Sequence, residues 1–238
     1  MVIAIIPAAG AGKRLGLGMN KAFALLDDVP LLVHCLSMLD RTELLDRAIV
    51  VLAPAEVEEG RQLLKSYQEK FFPQLPFTVV AGGRERQDSV ANALATITET
   101  EGYVAVHDGA RPFAGKDVFA RTLAAAHQHG AAIAAVPVKD TIKIVNAQGQ
   151  VVSTPVRSTL QAVQTPQIFS LSLLKQAYAY LQQYPTSVTD DASVVELLGH
   201  PVVVAAGRYE NIKITTPEDL LLAENLLRQE KEADLGNV

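Results

Sequence analysis

Val2-Ile3-Ala4-Ile5-Ile6-Pro7-Ala8-Ala9-Gly10-Ala11-Gly12-Lys13-Arg14-Leu15-Gly16 opens the chain and decides how the rest is read. Val2–Ile6 is apolar at every position, the pattern of a strand covered on both faces rather than one. It runs without a linker into small residues, glycines and two cations. Similar apolar runs recur at Ala48–Leu52, Phe77–Val80, Val104–His107, Ile133–Val136, Val202–Ala205 and Ile212–Thr215. Amphipathic stretches lie between most of them, at Leu31–Leu39, Ala55–Glu69, Asp88–Thr96, Lys116–His127, Leu171–Leu181, Asp191–Leu198 and Pro217–Glu230. The last opens Thr216-Pro217-Glu218-Asp219, a capping residue, a proline and two acids in the first turn. Alternating β and α with near-continuous apolar strands predicts an α/β fold: a mostly parallel, doubly wound sheet. Ligands in such sheets sit beyond the carboxyl ends of the strands.

One segment breaks this rhythm. Lys139–Val145 and Gln150–Thr154 alternate around Asn146-Ala147-Gln148-Gly149, which predicts a protruding β-hairpin arm. A lone two-stranded ribbon is marginal in water, so the arm is expected to pack on something, a second subunit included. The 238 residues are expected to form one domain over residues 1–230, the arm at 139–158 included, with a frayed tail at 231–238.

Composition narrows the function classes. Lys and Arg number 21 against 26 Asp and Glu, a net charge of −5, so a basic face for nucleic acid is not expected. Hydrophobic residues make up 49% and charged residues 20%, enough for a core and no basis for disorder. The single cysteine, Cys35, excludes an internal disulfide framework and a multi-cysteine metal site, and fits a reducing compartment. No apolar stretch approaches the roughly 18 residues of a membrane span. The start lacks the positive charge of a signal peptide. A cytoplasmic protein without nucleic-acid or membrane partners is expected.

The strand ends hold the candidate chemistry. In Ala8-Ala9-Gly10-Ala11-Gly12, small residues let the backbone approach a ligand, and successive N–H groups form an anion nest. Lys13, Arg14 and Lys21 add cations with no acid among them. A P-loop is excluded: Pro7 stands where its first glycine belongs, and Arg14 where Ser or Thr should follow the lysine. The dinucleotide fingerprint fails at Leu15, and no acid ends the second strand. A tight turn with solvated charges stays open, but the clustered cations favour a polyphosphate. Strand three runs into Gly82-Gly83 and then Asp88-Ser89, where the hydroxyl suits a nucleotide base or sugar, although a helix cap by Ser89 or Asp88 is the favoured reading of these residues alone. Strand four runs into His107-Asp108-Gly109-Ala110-Arg111. Asp108 is placed for a ribose hydroxyl or a hard cation such as Mg²⁺, or simply makes the Asp-Gly turn. His107 is assigned no chemistry. Asp190-Asp191 reads as capping, since adjacent residues do not share a helical face. No histidine cluster for zinc and no nucleophile elbow is present.

The residues carry a family likeness in order over about residues 2–227, nearly the whole chain. Pro7 to Arg14 with Lys21 resembles the signature loop of Rossmann-like nucleotidyltransferases. His107-Asp108-Gly109-Ala110-Arg111-Pro112, Lys139-Asp140-Thr141, Gln164-Thr165-Pro166-Gln167, Thr189-Asp190-Asp191-Ala192-Ser193, Asn211-Ile212-Lys213 and Pro217-Glu218-Asp219 narrow it. The set resembles the 2-C-methyl-D-erythritol 4-phosphate cytidylyltransferases of the non-mevalonate isoprenoid pathway. Asn20-Lys21-Ala22 stands where that family commonly has Pro-Lys-Gln. The resemblance implies that Ala8, Ala9, Gly10, Ala11, Gly12, Gly82, Gly83, Ser89 and Asp108 hold CTP, with Mg²⁺ carried mainly by the triphosphate and Asp108 beside it. It implies that Arg14 and Lys21 stabilise the transition state, and that Arg157 and Lys213 position methylerythritol phosphate. Arg111, Thr141, Thr165 and Thr189 would be their neighbours. It also implies a homodimer in which the arm carries Thr141 and Arg157 to the partner's site.

The reaction so implied is in-line attack of a substrate phosphate oxygen on the α-phosphorus of CTP, with release of pyrophosphate. A phosphate dianion needs no general base, in keeping with the lack of one. Two rivals are weighed: a ribitol-5-phosphate cytidylyltransferase and a non-catalytic CTP-binding module.

Overall fold

The computed structural model describes residues 1–10 and 20–236, the last four by their backbone alone. A central sheet of seven strands runs in the order β11-β7-β10-β6-β1-β4-β5. Its strands are β1 (Val2–Pro7), β4 (Arg47–Leu52), β5 (Phe77–Ala81), β6 (Tyr103–Val106), β7 (Ala131–Pro137), β10 (Gln161–Ser170) and β11 (Val203–Ala206). All neighbours pair parallel except β10, which runs antiparallel between β6 and β7. The mostly parallel, doubly wound sheet predicted from the alternation is therefore present.

Both faces are covered. α1 (Leu31–Thr42), α2 (Val57–Phe71) and α4 (Gly115–His129) pack on Val2, Ala4 and Ile6 of β1. α3 (Arg86–Ala95), α5 (Leu171–Gln183) and α6 (Asp191–Glu196) pack on Ile3 and Ile5. Alternate residues of one strand thus enter opposite cores, which is why the strand has no polar side. Ile3, Ile5 and Ile6 are fully buried, and each contributes about 1.5–3 kcal/mol of transfer free energy. Because β5, β4, β1 and β6 are parallel, their carboxyl ends open on one edge, and the loops after Pro7, Ala81 and Val106 meet there.

Four expectations are corrected. Ile212–Thr215 is not a strand; its backbone is tied to the body by the Ile214 N–H donating to the Ala110 carbonyl at 2.9 Å. The long strand β10 has no counterpart in the sequence reading. It carries Gln161, Gln164, Thr165 and Gln167, a cis Thr165-Pro166 bond and a register shift between Val163 and Gln167, so neither apolar content nor period marks it. A two-residue hairpin, β2 (Leu25–Leu26) and β3 (Val29–Pro30), was also unforeseen. Asp27 and Asp28 turn it with φ of 50° and 60°, the left-handed pair that such a turn requires. Finally, α7 (Pro217–Gly236) continues past Glu230 into the expected frayed tail, where Lys231 pairs with Asp27.

The arm is present but shorter than expected, with β8 (Ile144–Val145) against β9 (Val151–Ser153). Asn146 closes its turn by accepting from the Gln148 and Gln150 N–H groups. Ile142, Ile144, Val145, Val151, Val152 and Val156 along it are all exposed. Among the described residues, no helix is long and apolar enough to cross a membrane.

Candidate active site

A cleft opens at the carboxyl edge, bounded by Ala8, Ala9 and Gly10 after β1, Gly83 to Arg86 and Ser89 after β5, Asp108 after β6, and by Lys21 and Lys213. Ala11, Gly12, Lys13 and Arg14 lie outside the described residues.

The glycines have steric reasons. A Cβ on Gly82 would stand 2.7 Å from Ser89 Oγ and 2.9 Å from Ala9 Cβ, so only glycine lets the loops after β1 and β5 touch. Ser89 Oγ accepts the Gly83 N–H at 3.1 Å and donates to the Glu85 carbonyl at 3.1 Å. The cap of α3 is Glu85 in a reciprocal box with Asp88, so the first reading of Asp88 as a capping residue holds while Ser89 instead braces the glycine turn.

Asp108 is the electrostatic centre. Lys213 Nζ lies 2.9 Å from one of its oxygens, Arg111 Nε 3.5 Å, and Arg86 Nε 3.7 Å from the other. Burial alone would raise its pKa, but Lys213, Arg86 and Arg111 outweigh burial and hold the carboxyl well below the usual carboxylate range. Arg86 in turn donates to Asp191 at 2.6 Å, and Asp191 is fully buried. Tyr178 Oη donates to the other Asp191 oxygen at 2.7 Å. Burial works against the Arg86 charge, but Asp191 and Asp108 overcome it and keep its pKa above the ordinary value. The sequence reading of Asp190-Asp191 is thus half right. Asp190 caps α6 through the Ser193 N–H, whereas Asp191 is the counter-ion of Arg86.

His107 and Thr165 lock the loop beneath Asp108. Thr165 Oγ1 accepts the Asp108 N–H at 3.0 Å, so its single hydrogen goes to His107 Nδ1 at 3.1 Å. His107 Nε2–H then donates to the Arg111 carbonyl at 2.9 Å. Burial pushes the His107 pKa down to about 4, so the imidazole stays neutral and rigid, in accord with its having been assigned no chemistry. Arg111 Nη1 donates to the Asn211 carbonyl at 2.7 Å, and Asn211 Nδ2 donates to the Thr165 carbonyl at 2.8 Å. These bonds carry the segment bearing Lys213 to the same edge.

The other residues taken from the resemblance are dispersed. Thr165 is buried under the cleft, with its hydroxyl engaged as above. Thr189 is exposed beside Ser193. Thr141 and Arg157 lie on the exposed arm and do not line the cleft of their own chain. At the arm's root Arg157 Nη1 donates to the Lys139 carbonyl at 3.1 Å, and Tyr209 Oη donates to the Pro137 carbonyl at 2.9 Å. The Lys139 ammonium sits 3.5 Å from the Tyr209 ring centroid. Arg86 escaped the sequence reading, although a cation four residues past Gly82 at a strand end was a visible signal. Among the described residues, no group of three His, Cys, Asp or Glu side chains could hold a metal.

A doubly wound sheet with a small-residue loop, a charge-paired aspartate and converging cations at one carboxyl edge defines a nucleotidyltransferase. The family model for 2-C-methyl-D-erythritol 4-phosphate cytidylyltransferase matches residues 2–229. The enzyme of that name from Bacillus thuringiensis (strain Al Hakam) is 49% identical over 98% of this chain and 100% of its own. That from Alkaliphilus metalliredigens is 44% identical over 98% of this chain and 95% of its own. Among solved structures, the 4-diphosphocytidyl-2C-methyl-D-erythritol synthase of Anaerococcus prevotii superposes with a TM-score of 0.82 at 30% identity, covering 96% of this chain and 98% of that one. The Thermus thermophilus cytidylyltransferase gives 0.76 at 34% identity, covering 94% and 98%. The chain belongs to the 2-C-methyl-D-erythritol 4-phosphate cytidylyltransferase family.

Proposed function

We propose that this chain transfers CMP from CTP to 2-C-methyl-D-erythritol 4-phosphate, giving 4-diphosphocytidyl-2-C-methyl-D-erythritol and pyrophosphate. The observation that carries the reading is the convergence of Lys21, Lys213, Arg86 and Asp108 on a cleft that begins at the small-residue loop after β1. The chemistry must align two polyanions that repel each other and neutralise charge on the reacting phosphorus. The loop after β1 offers N–H groups to the triphosphate. Lys21, with Arg14, stabilises the charge that builds at the α-phosphorus. Lys213 leaves Asp108 for the incoming phosphate, and Arg111 and Arg86 keep Asp108 ionised when it does. The acceptor phosphate is its own nucleophile, and neutral His107 takes no part as a base.

Magnesium fits this donor set only as a guest of the triphosphate. Asp108 is one carboxylate already facing three cations, so it can add one oxygen to a cation that takes most of its others from phosphate and water. When bound, the ion neutralises triphosphate charge.

The working unit in this proposal is a homodimer. Six exposed apolar residues on an arm of two short strands need cover, and Arg157 and Thr141 on it stand away from the cleft of their own chain. The buried free thiol of Cys35 accords with the cytoplasm.

The test is pyrophosphate release from CTP and Mg²⁺ with methylerythritol phosphate or ribitol 5-phosphate as acceptor. Release with methylerythritol phosphate alone is expected. Release with ribitol 5-phosphate alone would keep the mechanism and replace the substrate. Silence with both, in a folded chain that binds CTP, would sink the reading.

A further inference from the structure

The loop of small residues leaves the sheet at Ala8 and returns to described structure at Asn20, and one side chain holds these two points together. Asn20 is 4% exposed. Its Nδ2 donates to the Ala8 carbonyl at 2.7 Å and to Glu56 Oε2 at 2.7 Å. Its Oδ1 accepts the Ala22 N–H at 3.0 Å. Both amide hydrogens are therefore spent inside the protein, on residues from two different strand ends. Glu56 closes the 3-10 turn Pro54–Glu56 that follows β4. Ala22 belongs to the 3-10 turn Lys21–Phe23, for which Asn20 is the cap, and the Phe23 N–H donates to the Asn20 carbonyl at 3.0 Å.

Two consequences follow for the cleft. The Ala8 carbonyl and the Ala9 N–H belong to one trans peptide plane and point in opposite directions. Holding the carbonyl against Asn20 turns the Ala9 N–H away from it, and Ala9 lines the cleft. A carbonyl free to rotate could instead present its negative end to a polyphosphate. The second consequence concerns Lys21. A three-residue 3-10 turn has too few internal bonds to persist alone. Asn20 bonds on the near side of Lys21 to Ala8 and on its far side to Ala22, which fixes the backbone from which the ammonium reaches the cleft.

We propose that Asn20 is a positioning residue for nucleotidyl transfer: it clamps the ends of the small-residue loop and sets the backbone of Lys21. The proposal rests on the reading of Lys21 as a cation that stabilises the transition state. Asn20 itself touches no substrate.

The experiment compares wild type, Asn20→Ala, Lys21→Ala and the double variant for kcat, for both KM values and for thermal midpoint. Asn20→Ala is expected to lower kcat about 10- to 100-fold, the cost of a misplaced group, while the KM for the acceptor holds. In the Lys21→Ala background the same change should cost less than about twofold, because a positioning residue has nothing left to position. Full kcat in Asn20→Ala, or losses that multiply in the double variant, would overturn the role of Asn20 alone. Wild-type kcat in Lys21→Ala would overturn the reading of Lys21 and the proposal with it. If Asn20→Ala does not fold, Asn20→Asp takes its place: it is isosteric and keeps an acceptor for the Ala22 N–H but has no hydrogens for Ala8 and Glu56. It should lose kcat as steeply, and retention of kcat in a folded Asn20→Asp would refute the clamp.

Discussion

Lys213 Nζ stands 2.9 Å from Asp108 Oδ2, and this contact ties the segment after β11, at one edge of the sheet, to the carboxyl end of β6 near its middle. Asp108 organises the cations as much as it receives a ligand. Asp108→Asn leaves Lys213, Arg111 and Arg86 facing one another without a counter-charge. It is expected to lower kcat/KM by about 100-fold and to cost about 3 kcal/mol of stability. Steady-state assays and urea unfolding check both; a change within twofold in kcat/KM would show that the cations keep their places without it.

The arm makes a prediction about sharing. If Arg157 serves the neighbouring subunit, a mixture of Lys21→Ala and Arg157→Ala chains contains heterodimers with one intact site. Co-refolding two inactive variants in equal amounts should then restore about a quarter of wild-type activity, half the dimers being mixed and half their sites whole. No recovery, with mixed dimers demonstrated, would place Arg157 at the site of its own chain.

Arg86 and Asp191 form a pair that should be removed together or not at all. Arg86→Met removes the cation from fully buried Asp191, whose other side-chain partner among the described residues is Tyr178, and is expected to destabilise by about 3 kcal/mol. Adding Asp191→Asn should recover part of that loss without recovering activity. Urea unfolding of the four proteins measures the coupling, and strictly additive losses would deny it.

His107 sets an acid-side stability window. Its pKa is about 4 in the folded chain because the ring is buried, against about 6.5 unfolded. Between those values the unfolded chain binds a proton that the folded chain refuses, so stability falls as pH falls through the window, on the order of 3 kcal/mol in all. Asp108 acts in the same sense but lower down: its depressed pKa adds stability that is complete above about 4 and drains away only as the pH falls below it. In His107→Gln the slope between pH 6.5 and 4 should flatten by that amount, as measured by urea unfolding at stepped pH. An unchanged slope would mean that other groups set the acid limit.

How much was legible follows from what each signal depends on. Val2–Ile6, Ala48–Leu52 and the Val104–Val106 part of Val104–His107 announce themselves because a strand buried on both faces must be apolar at every position. Thr216 and Asp219 mark the start of α7 because capping is a local hydrogen-bond requirement, and the Asp219 N–H does donate to Thr216 Oγ1 at 3.3 Å. Gln161–Ser170 stayed hidden because its glutamines find partners far along the chain: Gln167 in Asp190, Asp191 and Ala192, and Gln164 in Arg208. A polar strand of that kind looks like a loop until those partners are in place.

From the residues themselves came the alternation that makes the sheet, the small-residue loop at its edge, Lys21 and Asp108 as candidates, and the arm as an element lacking a core, whereas Lys213 came only from the family resemblance. The former are local properties, set by period, side-chain size and turn chemistry within a few residues. Only the tertiary structure decided that Arg86 is wedged between Asp108 and Asp191, residues 105 positions apart in the case of its shorter bond. It alone turned Thr165 inward onto His107 and placed Asn20 across the mouth of the loop. Charge pairing and buried hydrogen bonding depend on distance in space, and packing brings together groups that chain spacing leaves unrelated.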